Sequence, residues 1–319
     1  MKGLVIRNTG SWYTVQADDG QLLDCKVKGN FRLKGIRSTN PVAVGDRVSV
    51  IPQADQAGGH GGEGAVNRAG LITDIEERRN YVIRKASNLS KQSHIIASNV
   101  DMALLVVTLA HPATSTIFID RFLASTEAYR VPVTLLFNKV DLLDADDVRL
   151  LDAVCSLYES LGYPCLRLSA HTGEGIDRLL QHISGKTCLL SGNSGVGKST
   201  LLNRLVPEAK ARTAELSAAH DTGQHTTTFS QLYWVGDGGA LIDTPGIKGF
   251  GTFDMERSEV SHYFREIFET GRNCRYGDCT HTHEPGCAVL AALDEHRIAT
   301  SRYQSYLSIL DDKDADRYR

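Results

Sequence analysis

TCLLSGNSGVGKSTLLNRL, residues 187–205, decides the fold. Residues 187–191 are a short apolar run suited to a buried strand and residues 200–205 have helical spacing, so GNSGVGKS (192–199) is the turn between them. The turn satisfies G-x-x-x-x-G-K-[ST] in the strand-to-helix context that gives this motif its meaning. Gly192, Gly195 and Gly197 let the backbone curl so that successive N–H groups face phosphate oxygens. Lys198 can then reach the β and γ phosphates, and the Ser199 hydroxyl can coordinate Mg²⁺. The candidate phosphate site is Gly192, Asn193, Ser194, Gly195, Val196, Gly197, Lys198, Ser199 and Thr200.

Outward from this turn the chain alternates strands with helices. Residues 101–109 and 131–137 are near-continuous apolar runs, as parallel strands covered on both faces require. Residues 117–129, 146–161 and 175–183 have helical periodicity, and strands are expected at 165–168 and 240–242, which together predict a doubly wound α/β domain.

The strand 131–137 ends in NKVD, residues 138–141, an element suited to guanine. The Asp141 carboxylate can accept from both N1–H and the 2-amino group, the Lys139 stem can lie over the ring, and Asn138 can approach N7. Val140 completes the element. Adenine lacks that donor pair, which argues against a P-loop kinase or ATPase. Ser169 and Ala170, after the strand 165–168, fit a second guanine contact in which a backbone N–H meets O6. In DTPG (243–246), Asp243 is expected to hold Mg²⁺ through water and the Gly246 N–H to sense the γ phosphate. GQHTTTF (223–229) is placed as a switch segment, where one threonine completes the Mg²⁺ shell: Thr227 is the choice, with Thr226 and Thr228 beside it. The Mg²⁺ set is therefore Ser199, Thr227 and Asp243.

In ordinary GTPases the phosphate loop comes first and the guanine elements last. Here NKVD and SA precede GNSGVGKS, the switch threonines and DTPG, so the domain is a circularly permuted P-loop GTPase. Permutation is tolerated because these loops gather at the carboxyl ends of the same strands whichever way the chain enters. Ile247 follows DTPG where Ras-like enzymes carry a water-orienting glutamine, so that route to hydrolysis is missing.

Two further modules flank this domain. Residues 3–7, 12–16, 22–28, 46–51 and 69–75 read as short strands between turn signals, predicting a small barrel such as an OB-fold, with the Gly-rich 58–65 as a loop within it. Downstream, Cys274, Cys279, His281 and Cys287 form C-x4-C-x-H-x5-C, a Cys₃His set suited to one closed, structural Zn²⁺, with His283 as a competing ligand. Helical stretches follow at 288–299 and 303–310, then a charged tail, 311–319, expected to fray. The remaining Cys25, Cys155, Cys165 and Cys188 read as isolated small hydrophobes.

The whole is expected to be a multidomain protein: an N-terminal OB-fold β-barrel for RNA at 1–80, a circularly permuted GTPase α/β domain at 90–270, and a C-terminal zinc-binding α-helical domain at 271–319. Composition agrees. At 319 residues, with 41% hydrophobic and 23% charged side chains, the chain is ordinary globular protein, which excludes disordered and fibrous classes. Its longest apolar run, 102–110, is too short to span a bilayer, and MKGLVIRNTG has no signal-peptide core. Seven cysteines with three crowded into 274–287 argue for a reducing compartment, so the expectation is a cytoplasmic protein. No long amphipathic seam asks for a partner copy, so a monomer is expected. Net charge is −3, yet residues 1–50 carry eight basic against four acidic side chains, and Arg84, Lys85 and Lys91 follow, a distribution consistent with RNA phosphate contacts.

The permuted motif order, the preceding OB-like barrel and the following Cys/His knuckle together resemble the bacterial small-ribosomal-subunit-dependent GTPase family RsgA, also called YjeQ, over essentially the whole chain. The resemblance implies slow hydrolysis by the free protein, stimulation by the small subunit, and a role in late maturation of the 30S particle. It implies docking on rRNA through the barrel and the zinc segment while GTP is bound. It selects His281 over His283 as the zinc ligand and points to His225 as the residue that positions or polarises water. The alternative is a nucleotide-gated RNA-binding module whose turnover is incidental and not linked to the ribosome.

Overall fold

The computed structural model describes residues 1–28, 41–57, 68–85, 93–209, 230–243 and 255–317. Its N-terminal strands are β1 (Lys2–Asn8), β2 (Tyr13–Ala17), β3 (Leu22–Val27), β4 (Arg47–Ala57) and β5 (Arg68–Ile75), close to the expected ones except that β4 runs on from the expected end at 51 to Ala57. They pair in the order β1-β2-β3-β5-β4, and β4 returns to β1, which closes a five-stranded barrel. Alternation in β2, with Tyr13, Val15 and Ala17 buried, sends every second side chain inward to meet Val5, Leu23, Val48 and Ile72. The expected loop at 58–65 lies outside the described residues.

Next comes a hairpin the sequence reading did not anticipate, β6 (Tyr81–Lys85) with β7 (Ser93–Ser98). Its strands are short, and their buried apolar residues, Val82, Ile95 and Ala97, are too few to stand out as a periodic run. Asp46 ties the hairpin to the barrel. Fully buried, it accepts from Ser98 Oγ at 2.6 Å, the Ala43 N–H at 2.8 Å and both Nε and Nη2 of Arg78 at 2.6 Å. A buried carboxylate is tolerable because its oxygens are met this way.

The α/β domain consists of β8 (Met102–Val107), α1 (Thr116–Ala128), β9 (Val133–Phe137), α2 (Ala145–Ser160), β10 (Cys165–Arg167), α3 (Ile176–Ile183), β11 (Thr187–Gly192), α4 (Lys198–Leu205), β12 (Ser230–Val235) and β13 (Gly239–Asp243). The sheet order is β10-β9-β8-β11-β13-β12, parallel throughout except for the β13–β12 pair. Every residue of β8 and β9 is buried, as their near-continuous apolar runs require. Successive side chains divide between two cores: Ala103, Leu105 and Val107 face α1 and α2, while Met102, Leu104 and Val106 face α3 and α4. At the far edge β12 pairs antiparallel with β1, so the barrel continues the central sheet.

A third core runs from Met255 to Leu310 and joins a 3-10 stretch (Arg257–Tyr263), α5 (Arg265–Gly271), α6 (Ala288–Asp294) and α7 (Thr300–Arg317). This helical unit therefore gathers residues upstream of 271. α6 is shorter than the expected 288–299, because the chain turns out at His296, whose φ of +57° no helix continues through. The tail expected to fray is helical through Arg317. Tyr303, Tyr306, Ile309 and Leu310 seat α7 on the core, and once a helix is anchored each further residue adds a bond at little cost.

Candidate functional site

Four of the parallel strands bring their carboxyl ends to one place. β11 delivers Gly192 beside Val106 of β8, β9 delivers Asn138, β10 leads to Ser169, and β13 ends at Asp243, paired with Leu190. β8 leads to β9 on one side and β11 to β13 on the other, so the phosphate loop opens where the direction of winding reverses.

Two glycines show why the loop needs them. A Cβ on Gly192 would meet the Val106 carbonyl oxygen at 2.4 Å, and one on Gly197 would meet Asn138 Nδ2 at 2.4 Å; their φ values are +145° and +93°. Gly197 is the residue before α4, so backbone N–H groups at this helix start face the site. Lys198 Nζ donates to the carbonyls of Gly192 at 2.6 Å and Asn193 at 2.5 Å. Burial lowers the Lys198 pKa, and the Asp243 carboxylate opposes that shift. Asn193 is half-buried; Ser194, Ser199 and Thr200 are exposed. Val196 is fully buried in the core beneath, so only its backbone is available to a ligand.

Asn138 joins three loops. Its Nδ2 donates to the Val196 carbonyl at 2.8 Å and its Oδ1 accepts from the Ala170 N–H at 2.9 Å. Lys139 has φ +65° and its Nζ donates to the His111 carbonyl. Val140 packs against the first core, and Asp141 is exposed on the 3-10 turn Val140–Leu142. The Ser169 N–H donates to the Glu174 carbonyl at 3.0 Å, so the backbone donors of Ser169 and Ala170 both have protein partners, and a base oxygen there must share one. His225, Thr226, Thr227, Thr228 and Gly246 lie outside the described residues.

Two neighbours of this site were not foreseen. Arg204 on α4 reaches across to the carbonyls of His171 at 3.2 Å and Thr172 at 3.0 Å, locking the phosphate-loop helix to the SA loop. The loop after β8 presents Pro112 to Gly195 and His111 to Lys139. Main-chain carbonyls act as acceptors in both cases, and such contacts leave no side-chain signature to find.

In the helical unit the sulfurs of Cys274, Cys279 and Cys287 and one ring nitrogen of His281 lie within 4.8 Å of one another. Cys274 and Cys287 Sγ are each 3.5 Å from His281 Nδ1 and 3.8 Å from each other. His281 is buried and burial lowers its pKa, opposed by the Glu284 carboxylate, whereas His283 is exposed. The Ala288 and Leu290 N–H groups point at Cys274 and Cys287 sulfurs at 3.3 and 3.5 Å. Tyr303 OH holds the His281 carbonyl at 2.7 Å. Glu284, also unforeseen, ties the knuckle: it accepts from the Thr280 hydroxyl at 2.5 Å, the Thr280 N–H at 2.7 Å and the His283 N–H at 3.1 Å, and although burial raises its pKa these bonds bring it well below the usual carboxylate range.

Comparison with known proteins agrees with this geometry. Residues 75–253 match the model of the RsgA GTPase family and residues 2–59 that of the RsgA N-terminal domain. The chain is 60% identical to the small ribosomal subunit biogenesis GTPase RsgA of Bacteroides fragilis, with 100% of this chain and 99% of that protein covered. It is 58% identical to the protein of the same name from Porphyromonas gingivalis, at the same coverage. Among solved structures it resembles YjeQ from Thermotoga maritima, with TM-score 0.75 and 32% identity over 98% of each chain. It also resembles YloQ, a circularly permuted GTPase, with TM-score 0.73 and 27% identity over 99% of this chain and 95% of that one.

Proposed function

The chain belongs to the RsgA GTPase family, and from that premise we propose how its residues carry out the work. It is a GTP hydrolase that acts in biogenesis of the small ribosomal subunit. The observation that carries the residue-level reading is the Asn138 junction, which joins NKVD, the phosphate loop and the SA loop in one site despite their permuted order. Asp141 reads guanine, Lys139 lies over the base, and residues 192–200 cradle the phosphates. Ser199, Thr227 and Asp243 hold Mg²⁺, which when bound offsets phosphate charge. The pairing of Asp243 with Leu190, two residues before the phosphate loop, supports that set. His225 positions the attacking water when the protein is bound to the subunit. The barrel and the zinc segment dock on rRNA of the small subunit, and the protein acts as a cytoplasmic monomer. Among the described residues no helix is long and apolar enough to cross a membrane.

The test is GTP hydrolysis with and without purified small subunits, beside large subunits and ATP as controls. Small subunits alone are expected to accelerate GTP turnover by orders of magnitude. His225→Ala should keep guanine-nucleotide affinity and lose about 10²-fold or more of the stimulated rate, the scale of a positioned acid–base group. Undiminished stimulated turnover in that variant would remove His225 from the mechanism, and no acceleration by any subunit would remove the docking.

Cys274, Cys279, His281 and Cys287 are the residues we assign to one structural Zn²⁺. Zinc–sulfur bonds of about 2.3 Å in a tetrahedron give sulfur–sulfur edges of about 3.8 Å, and the Cys274–Cys287 separation is 3.8 Å. Bound there, the ion would cross-link the knuckle, with no open position for catalysis. Metal analysis should return one zinc per chain. Chelation should reduce the helical signal of the C-terminal unit and leave GTP affinity unchanged; full retention of that signal in metal-free protein counts against a structural ion.

A further inference from the structure

The loop between β8 and α1 belongs to neither the guanine nor the phosphate motifs, yet it touches both. Thr108, 1% exposed, folds it. Thr108 Oγ1 donates to the Pro112 carbonyl at 2.5 Å, its N–H donates to Thr114 Oγ1 at 3.1 Å, and its carbonyl accepts from the Thr114 N–H at 2.8 Å. The loop so closed turns the His111 carbonyl to the Lys139 ammonium, with His111 itself in the left-handed region at φ +56°. It also sets the Pro112 ring 3.3 Å from where a Cβ of Gly195 would stand. The Lys139 stem passes over the phosphate loop on the way, its Cε 3.9 Å from the Cβ position of Gly197.

We propose that Thr108 is a positioning residue for guanine-nucleotide binding: its hydroxyl fixes the loop whose His111 carbonyl anchors Lys139, so the lysine stem is laid out along the base plane before nucleotide arrives. This rests on the reading of residues 138–141 as the guanine site. A lysine side chain is flexible and loses rotamer freedom when pinned against a ligand. Anchoring its ammonium on a fixed carbonyl moves that loss into folding and leaves more of the contact to hold the nucleotide. The Pro112 contact keeps the phosphate loop in the same rigid set.

The test follows release of a fluorescent, ribose-labelled GDP in Mg²⁺ from wild type, Thr108→Val, Thr108→Ser, Lys139→Met and the Val/Met double variant. Thr108→Val keeps the shape and removes one hydrogen bond, so release should quicken about five- to tenfold. Thr108→Ser should release at the wild-type rate, and Lys139→Met at least as fast as Thr108→Val. Because Thr108 acts through Lys139, the double variant should be no faster than Lys139→Met. A wild-type rate for Thr108→Val, or independent multiplication of the two effects, overturns the proposal while leaving the guanine site standing. An unchanged rate in Lys139→Met overturns both. Should Thr108→Val fail to fold, Thr114→Ala, at a half-buried position of the same loop, carries the same expectation.

Discussion

Asp141→Asn is expected to lower GTP affinity by about 10²–10⁴-fold and to transfer preference to xanthine nucleotides. The carboxylate would accept two hydrogen bonds from guanine, N1–H and the 2-amino group, each charge-assisted and worth about 1.5–3 kcal/mol. Asparagine keeps an oxygen for N1–H, now uncharged, but sets its NH₂ against the 2-amino group, so one bond is lost, the other weakened and two donors face each other, together about 3–6 kcal/mol, which is the stated range of affinity. The asparagine amide instead offers a donor to the C2 carbonyl of xanthine, which replaces the 2-amino group. The fold should not suffer: Asp141 is exposed on a 3-10 turn set by Lys139 and by Val140 N–H to Leu168 O, neither of which depends on the carboxylate. Competition of GTP, XTP and ATP against a fluorescent guanine nucleotide separates the cases. Unchanged GTP affinity would remove Asp141 from the base site, and equal gains for ATP would point to a general loosening.

The sequence made this site readable because its chemistry is local. GNSGVGKS, NKVD and DTPG are each a few consecutive residues at the end of an apolar strand, so the proposed roles need no distant partner to be recognised, and the order of the three exposed the permutation. The barrel was legible for a related reason, since period-two burial of Tyr13, Val15 and Ala17 leaves its trace in the residues themselves. What stayed hidden depends on pairing between distant segments. The β6–β7 hairpin is held to the barrel by Asp46, 52 residues from Ser98, and the edge joining barrel and central sheet pairs Asn8 with Ser230. Engagement of the Ala170 N–H by Asn138 was equally invisible, because a backbone donor has no letter in the sequence. Arg302 is the clearest case. It falls between the two helical stretches expected at 288–299 and 303–310, where nothing marks it, and it is 1% exposed.

Arg302 joins the helical unit to the nucleotide-binding domain. Its Nη1 donates to Asp120 on α1 at 2.7 Å, and its Nε and Nη2 donate to the two oxygens of Glu266 on α5 at 2.6 and 3.1 Å. The Asp120 side chain is 0% exposed and that of Glu266 10%. Arg302→Met fills much of the volume and strands two buried carboxylates, so unfolding should become easier by about 3–5 kcal/mol. The loss should depend on pH. Burial already raises the pKa of Asp120, against the pull of Arg302, and removing the guanidinium raises it further. The folded variant then binds a proton that the unfolded chain, titrating near 4, has released, so its stability rises as pH falls through the raised pKa. Denaturant unfolding should therefore show a larger deficit at pH 8 than at pH 5. Adding Asp120→Asn and Glu266→Gln to Arg302→Met should recover most of it, since what destabilises is uncompensated charge rather than the lost bridge. GTP affinity, read at the far ends of the strands, should stay at the wild-type value. A deficit independent of pH and unrelieved by the neutral partners would instead assign Arg302 a packing role, through its stacking on the Phe264 ring at 4.6 Å.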